Sequence, residues 1–219
     1  MIKTAGTNGA LAVIVLDGSG SMQSCIDSTI SGFNEFLQVQ QQSEISTDIC
    51  VYTFHGGSVQ TIVPKQPAVG VTPLTPYEYR THGMTNLLDA IGHAIHKTNE
   101  AILHSEDPPS VVMCIITDGA ENSSIEYKQA QIKQLIAECE AANWTFMFLG
   151  ANIDAFAVGN TLGLKQDSVL SYNTANMSSA MTSMAQATER VKYARAAGMD
   201  TSSVSASIFT TDDRDKNGL

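Results

Sequence analysis

The chain is short of positive charge: its 219 residues carry 12 Lys and Arg against 22 Asp and Glu, a formal charge of −10 at pH 7. A nucleic-acid backbone needs a basic footprint, so nucleic acid is not expected as a partner. The same balance disfavours anionic membrane surfaces. Long apolar runs are missing too. The run Leu11 to Leu16 is six residues, against the roughly 20 that span a bilayer. The opening "MIKTAGTNGA" has one Lys and no apolar core, so no signal peptide, no membrane association and a cytoplasmic location are expected. Cysteine is sparse, and none of Cys25, Cys50, Cys114 and Cys139 forms a CxxC pair. Cys50 and Cys114 sit inside apolar runs, where cysteine behaves as a small hydrophobe, so buried free thiols are expected rather than disulfides or a zinc cluster. Aromatics make up 6%, but apolar content of 43% is that of an ordinary globular protein. Proline is confined: four of the six lie in the loop 64–83.

Strand and helix patterns alternate along the rest. "LAVIVLD" (11–17) is a continuous apolar run, the mark of a strand covered on both faces. A helical pattern over 21–42 follows, with Met22, Ile26, Ile30, Phe33 and Leu37 at helical spacing. Strands are expected at 45–54 and 58–64, joined by "HGG" (55–57), a turn short enough to make them an antiparallel hairpin. A helix begins near Thr85 and ends before "DPP" (107–109). A strand at 110–118, a helix at 124–142 and a strand at 144–150 come next. Beyond them lie a short helix at 152–164, a short edge strand at 167–173 and a helix at 175–197. The methionines of that last helix (Met177, Met181, Met184) are expected in the core.

This alternation describes an α/β protein: a Rossmann-like, doubly wound, mostly parallel sheet with one antiparallel edge strand and helices on both faces. A single domain is expected over 1–198, with a core at 10–150, an extension at 151–198 and a flexible tail at 199–219. In such sheets ligands bind outside the carboxyl ends of the central strands.

The first strand ends in "DGSGSM". A dinucleotide fingerprint would need a third glycine, and a P-loop would need a lysine. A nucleophilic serine would need the G-x-S-x-G elbow and a late histidine, and neither is present. A phosphatase of the haloacid dehalogenase type would need a second acid two residues after the first, where Ser19 stands. A hard divalent cation fits better, because Asp17, Ser19 and Ser21 alternate as oxygen donors on a loop whose glycines let the backbone bend. Asp118 ends the fourth strand as Asp17 ends the first, and Thr85 stands at a helix start in "HGMTNLLDAI".

The set D-x-S-x-S, a loop threonine and a strand-ending T-D-G resembles the metal-ion-dependent adhesion site (MIDAS) of von Willebrand factor type A domains. The segments "GMTNLLDAIG" and "ITDGAENSS" are similar to those of stand-alone bacterial and phage members. The resemblance covers residues 10–150 and extends more loosely to about 195. It implies a metal site at Asp17, Ser19, Ser21, Thr85 and Asp118, holding Mg²⁺, with Mn²⁺ or Ca²⁺ as alternatives. It also implies that the hydroxyls ligate directly while the two aspartates act through water. Two carboxylates balance the ion's charge without binding it directly, so it stays electrophilic toward a third. The implied function is non-enzymatic: Mg²⁺-dependent binding of a protein partner whose Asp or Glu completes the coordination. Two other functions remain open. One is a regulatory subunit beside a separate AAA+ ATPase, as in metal chelatases, and the other is a metal-dependent phosphohydrolase.

The same residues also fit plainer roles. Ser19 and Ser21 have the chemistry of helix caps, and Asp118 that of a turn residue. Asp89 is expected to pack or cap within its helix, and His93 and His96 to lie on a solvated or half-buried face. Glu121 and Asn122 are expected to line the rim as selectivity residues.

Overall fold

The computed structural model describes residues 1–200, 203–204 and 208–218. Strand β1 (Ala10–Asp17) is buried along its whole length. Alternation sends Ala12, Ile14 and Leu16 to one face of the sheet and Leu11, Val13 and Val15 to the other. Both faces must therefore be covered, and β1 takes a central place. It pairs in parallel with β2 (Thr47–His55) on one side and with β4 (Ser110–Thr117) on the other. The sheet is completed by β3 (Ser58–Pro67), β5 (Thr145–Ala151) and β6 (Val169–Tyr172), in the order β3-β2-β1-β4-β5-β6. Only β3 is antiparallel. Its turn at Gly56 and Gly57 has φ of 54° and 82°, the left-handed pair that matches the twist of a two-residue hairpin and that glycine adopts without strain. The expected doubly wound sheet with one antiparallel edge strand is the sheet observed.

Helices α1 (Ile26–Gln42) and α5 (Met177–Ala196) cover one face. Helices α2 (Leu87–Ile102), α3 (Gln129–Ala141) and α4 (Ala155–Leu162) cover the other. The α1–α5 seam closes at Gly32, where a Cβ would stand 2.7 Å from Met181 Cγ. Met177, Met181 and Met184 are fully buried there, so the methionine stripe is core. All four cysteines are buried and free. Among the described residues, no helix is long and apolar enough to cross a membrane.

Two element starts differ from the sequence expectation by more than a helical turn. The helix expected from residue 21 opens as a tighter 3-10 turn, Gly20–Cys25, whose three-residue period sets Met22 and Cys25 on the same buried side. The helix expected from 124 begins at Gln129, because a carboxylate from α2 holds the preceding backbone in a loop.

Part of the expected flexible tail also folds. Of residues 199–219, positions 201–202, 205–207 and 219 lie outside the described residues. Ile208 and Phe209 are buried against the α1/α5 core, and α6 (Thr211–Lys216) follows a Thr210 cap that accepts from Asp213 N. Asp213 is 1% exposed and pairs with Arg190 of α5 at 2.6 Å. Two buried apolar side chains and one half-buried ion pair outweigh the polar composition that pointed to fraying. Phe209→Ala is accordingly expected to lower the unfolding free energy by about 3 kcal/mol, read from a guanidinium titration. An unchanged midpoint would show that this segment does not contribute to the core.

Candidate metal centre

The chain leaves β1 toward one side of the sheet and β4 toward the other, so a crevice opens between their carboxyl ends. The register puts Leu16 beside Ile116. Asp17 and Thr117 therefore follow side by side, and Asp118 comes next on the same edge. Asp17 is fully buried and Asp118 is 6% exposed.

Each acid is held by short hydrogen bonds. Asp17 Oδ1 accepts from Ser19 N at 2.7 Å, and its Oδ2 accepts from Thr117 Oγ1 at 2.5 Å. The Asp17 carbonyl accepts from the buried Tyr79 hydroxyl at 2.5 Å. Asp118 Oδ1 accepts from Ser21 Oγ at 2.5 Å, and the Ser19 and Ser21 hydroxyls lie 3.1 Å apart. Thr85 closes the ring at Gly119. A Cβ on Gly119 would lie 3.0 Å from Thr85 Oγ1 and 3.6 Å from Ser21 Oγ, so glycine is what lets the two hydroxyls approach. The five residues expected from the sequence, Asp17, Ser19, Ser21, Thr85 and Asp118, are thus brought together.

Burial drives both carboxyl groups above their ordinary value of 3.8; hydrogen bonds from Thr117 and Ser19 for Asp17, and from Ser21 for Asp118, pull the other way. The charge of Asp118 adds a smaller upward push on Asp17. Among the described residues, neither acid has a Lys, Arg or His ion-pair partner. Two buried carboxylates, three hydroxyls and no counter-charge form an all-oxygen donor set that fits a hard divalent cation. Among the described residues, no group of three or more His, Cys, Asp or Glu is placed to hold a metal, so a thiolate- or imidazole-rich centre is not the alternative.

The surrounding loops show what the sequence left hidden. Gly18 has no left-handed backbone. A Cβ there would strike Thr53 Oγ1 at 2.7 Å and crowd the Arg80 carbonyl at 3.2 Å, so this glycine provides space rather than a bend. Gly20 N donates to the Gly83 carbonyl at 3.0 Å, and His82 N to the Gly18 carbonyl at 2.8 Å, stitching the serine loop to the proline loop. Asp89 does not cap within α2. Its carboxylate accepts from Ile125, Glu126 and Tyr127 N at 2.9–3.0 Å. Glu121 and Asn122 are not free rim groups either. Glu121 accepts from the backbone of Leu88, Ser123 and Ser124, and Asn122 Oδ1 accepts from Thr85 N at 2.9 Å. Both serve to hold Thr85 and its loop against Gly119.

His93 is half-buried and edge-on to Tyr52, and His96 is exposed against Tyr127. The His55 and His82 rings lie 3.8 Å apart, tilted at 47°, beside Gly18, with burial and the neighbouring His82 pushing His55 below 6.5. Thr117 was legible in principle, since "TD" at a strand end beside Asp17 puts a hydroxyl against that acid. Tyr79 lies in a loop without period and leaves no such signal.

The raised carboxyl values carry a sign. In the cation-free protein these groups favour folding at acid pH, and that contribution is lost as pH rises from 3.8 through the higher folded values. Asp118→Asn keeps an acceptor for Ser21 and removes one charge. In EDTA at pH 7 it is expected to raise the unfolding free energy by about 1 kcal/mol, read as a higher urea midpoint. A lower midpoint would mean that the ionised pair is not under this stress.

No protein-family profile matches the chain, and no curated protein sequence matches it either. Solved structures do. Proximal thread matrix protein 1 from the mussel byssus, with a zinc-occupied MIDAS motif, aligns over 83% of this chain and 48% of its own, at 16% identity and TM-score 0.59. A von Willebrand factor type A protein from Catenulispora acidiphila aligns over 86% and 44%, at 14% identity and TM-score 0.54. Manganese-loaded TRAP protein of Plasmodium vivax aligns over 80% and 73%, at 12% identity and TM-score 0.54. The chain spans about half the length of the first two. These likenesses show the fold of von Willebrand factor type A domains.

Proposed function

Taking that fold as the premise, we propose that the chain is a non-enzymatic, metal-dependent binding domain that captures a carboxylate of a protein partner. The observation that carries this reading is the meeting of Asp17, Ser19, Ser21, Thr85 and Asp118 at one sheet edge, with no counter-charge among the described residues. Ser19, Ser21 and Thr85 would hold a divalent cation, Mg²⁺ being the expected one. Asp17 and Asp118 would balance its charge and orient the hydroxyls, as outer groups do at other metal sites. When bound, the cation supplies an electrophilic centre for an incoming Asp or Glu. The remaining work belongs to the chain. Thr117 and Ser19 N fix the Asp17 carboxylate, Ser21 is aimed by Asp118, and the Glu121–Asn122 hydrogen bonds keep Thr85 in place.

The zinc-occupied and manganese-loaded neighbours support a divalent cation here. Four buried free thiols support a reducing, cytoplasmic setting.

Titration calorimetry with Mg²⁺ or Mn²⁺ should show one site. Ser21→Ala, at an exposed position, and Asp17→Ala should each weaken the metal about 10- to 100-fold or more and abolish EDTA-sensitive capture of the partner from native lysate. The far-UV spectrum should not change. No heat and no metal-induced thermal shift would sink the metal site; capture that survives EDTA would sink the mechanism. An ATPase as the captured protein would point to a regulatory subunit.

A further inference from the structure

The same sheet edge continues past the acids into a second site. Thr117 of β4 lies beside Gly150 of β5, and Ala151 of β5 beside Tyr172 of β6. Just beyond these pairs opens a cleft of about 590 Å³, lined by Asn152, Asn173, Asn176 and Asn217 with Ser171 and Asp154. It begins one strand from Asp118 and ends two strands away, a span of roughly 5–10 Å that two or three extended residues cover. The turn Gly20–Cys25, which carries Ser21, packs against the turn Thr174–Asn176 on the cleft wall.

Four asparagines line it; an unengaged asparagine side chain offers a donor pair and an acceptor, the complement of a peptide unit, while Asn173 Oδ1 already accepts from Ala175 N. The side chains of Asn152 and Asn176 have no hydrogen-bond partner among the described residues. Asn217 is 3% exposed; its Nδ2 donates to Ser183 Oγ and the Asp213 carbonyl, but its Oδ1 is buried without a donor. A buried acceptor left unpaired costs about 1–3 kcal/mol, so a ligand N–H would be favoured there. Tyr172 forms part of the wall, 4% exposed, with a buried hydroxyl that also lacks a partner. Among the described residues that line the cleft, Asp154 is the charged one, and its Oδ1 already caps α4 at Ala157 N. That charge disfavours a second acid in the cleft and is compatible with a neutral main chain.

We propose that this amide-lined cleft receives the main chain of the same partner segment whose carboxylate is captured at the β1/β4 edge. The proposal rests on the capture function above. The partner is thereby specified as an extended segment with its Asp or Glu followed or preceded by about three residues in open conformation, rather than as an isolated acidic side chain.

The test compares two probes by NMR titration with Mg²⁺ present: Ac-Asp-NHMe and the capped hexapeptide Ac-Ala-Ala-Asp-Ala-Ala-Ala-NH2. The variant is Asn152→Gly with Asn176→Ala. Asn152 has φ 55°, which glycine keeps, and Asn176 makes no side-chain cap to α5, so the fold and the Mg²⁺ thermal shift should persist. In the unmodified protein the hexapeptide should bind about tenfold tighter than the single residue, the size of one or two net hydrogen bonds. In the variant the two probes should bind within about twofold of each other. Equal affinities in the unmodified protein, or an advantage that survives in the variant, would overturn the cleft's role while leaving carboxylate capture standing. Failure of both probes, or binding indifferent to EDTA, would overturn capture and the cleft proposal together. Metal-independent shifts of the Asn152 and Asn176 amide signals by cellotetraose, absent with the peptide, would assign the cleft to a carbohydrate and overturn the proposal.

Discussion

The parallel ladder between β1 and β4 is the constraint on which the rest of this structure depends. Pairing Leu16 with Ile116 leaves Asp17 and Asp118 no choice but to share one edge. Both acids are buried there, and their unfavourable solvation must be met locally. Thr117, Ser19 N and Ser21 supply hydrogen bonds to the two carboxylates, but none of them supplies positive charge. A carboxylate pair kept in this condition is poorly suited to a purely structural role. It is well suited to a site whose charge balance is completed from outside.

The loops around the acids are organised by hydrogen bonds to backbone rather than by hydrophobic packing. Asp89, Glu121 and Asn122 each spend their side-chain oxygens on main-chain N–H groups of a neighbouring segment. Three polar residues of α2 and the β4–α3 loop thereby hold a stretch of non-repetitive chain in one shape, as a site on loops requires. Gly18 and Gly119 complete the arrangement by leaving out side chains where backbone and hydroxyls must approach.

Most of the fold was legible because its strands are strongly patterned. "LAVIVL" and "VVMCII" announce two-sided burial, and the short "HGG" turn announces the hairpin. The acids at the ends of the first and fourth strands were visible for the same reason, since a strand end has a definite place in a doubly wound sheet. What could not be read was long-range and polar. The capture of the 125–127 backbone by Asp89 shortened α3 at its start, and no local propensity encodes a partner 36 residues away. The tail misled for a related cause. Its Ser, Thr and Asp content hid Ile208 and Phe209, whose burial depends on a surface formed by α1 and α5. The cleft beyond β5 and β6 was likewise invisible, because its asparagines come from three separate segments.

The central position of β1 and β4 has a mechanical consequence. Each of these strands is hydrogen-bonded along both of its edges. A pull directed along their axes from Asp17 and Asp118 would load the ladders in shear. Many bonds then share the force at once, whereas a pull across an edge strand would open them one after another like a zip. β6, with four residues and one neighbour, is the part of the sheet that would yield by the second route. Under a pull in that direction, the two acids stand on strands that share the load across two ladders each.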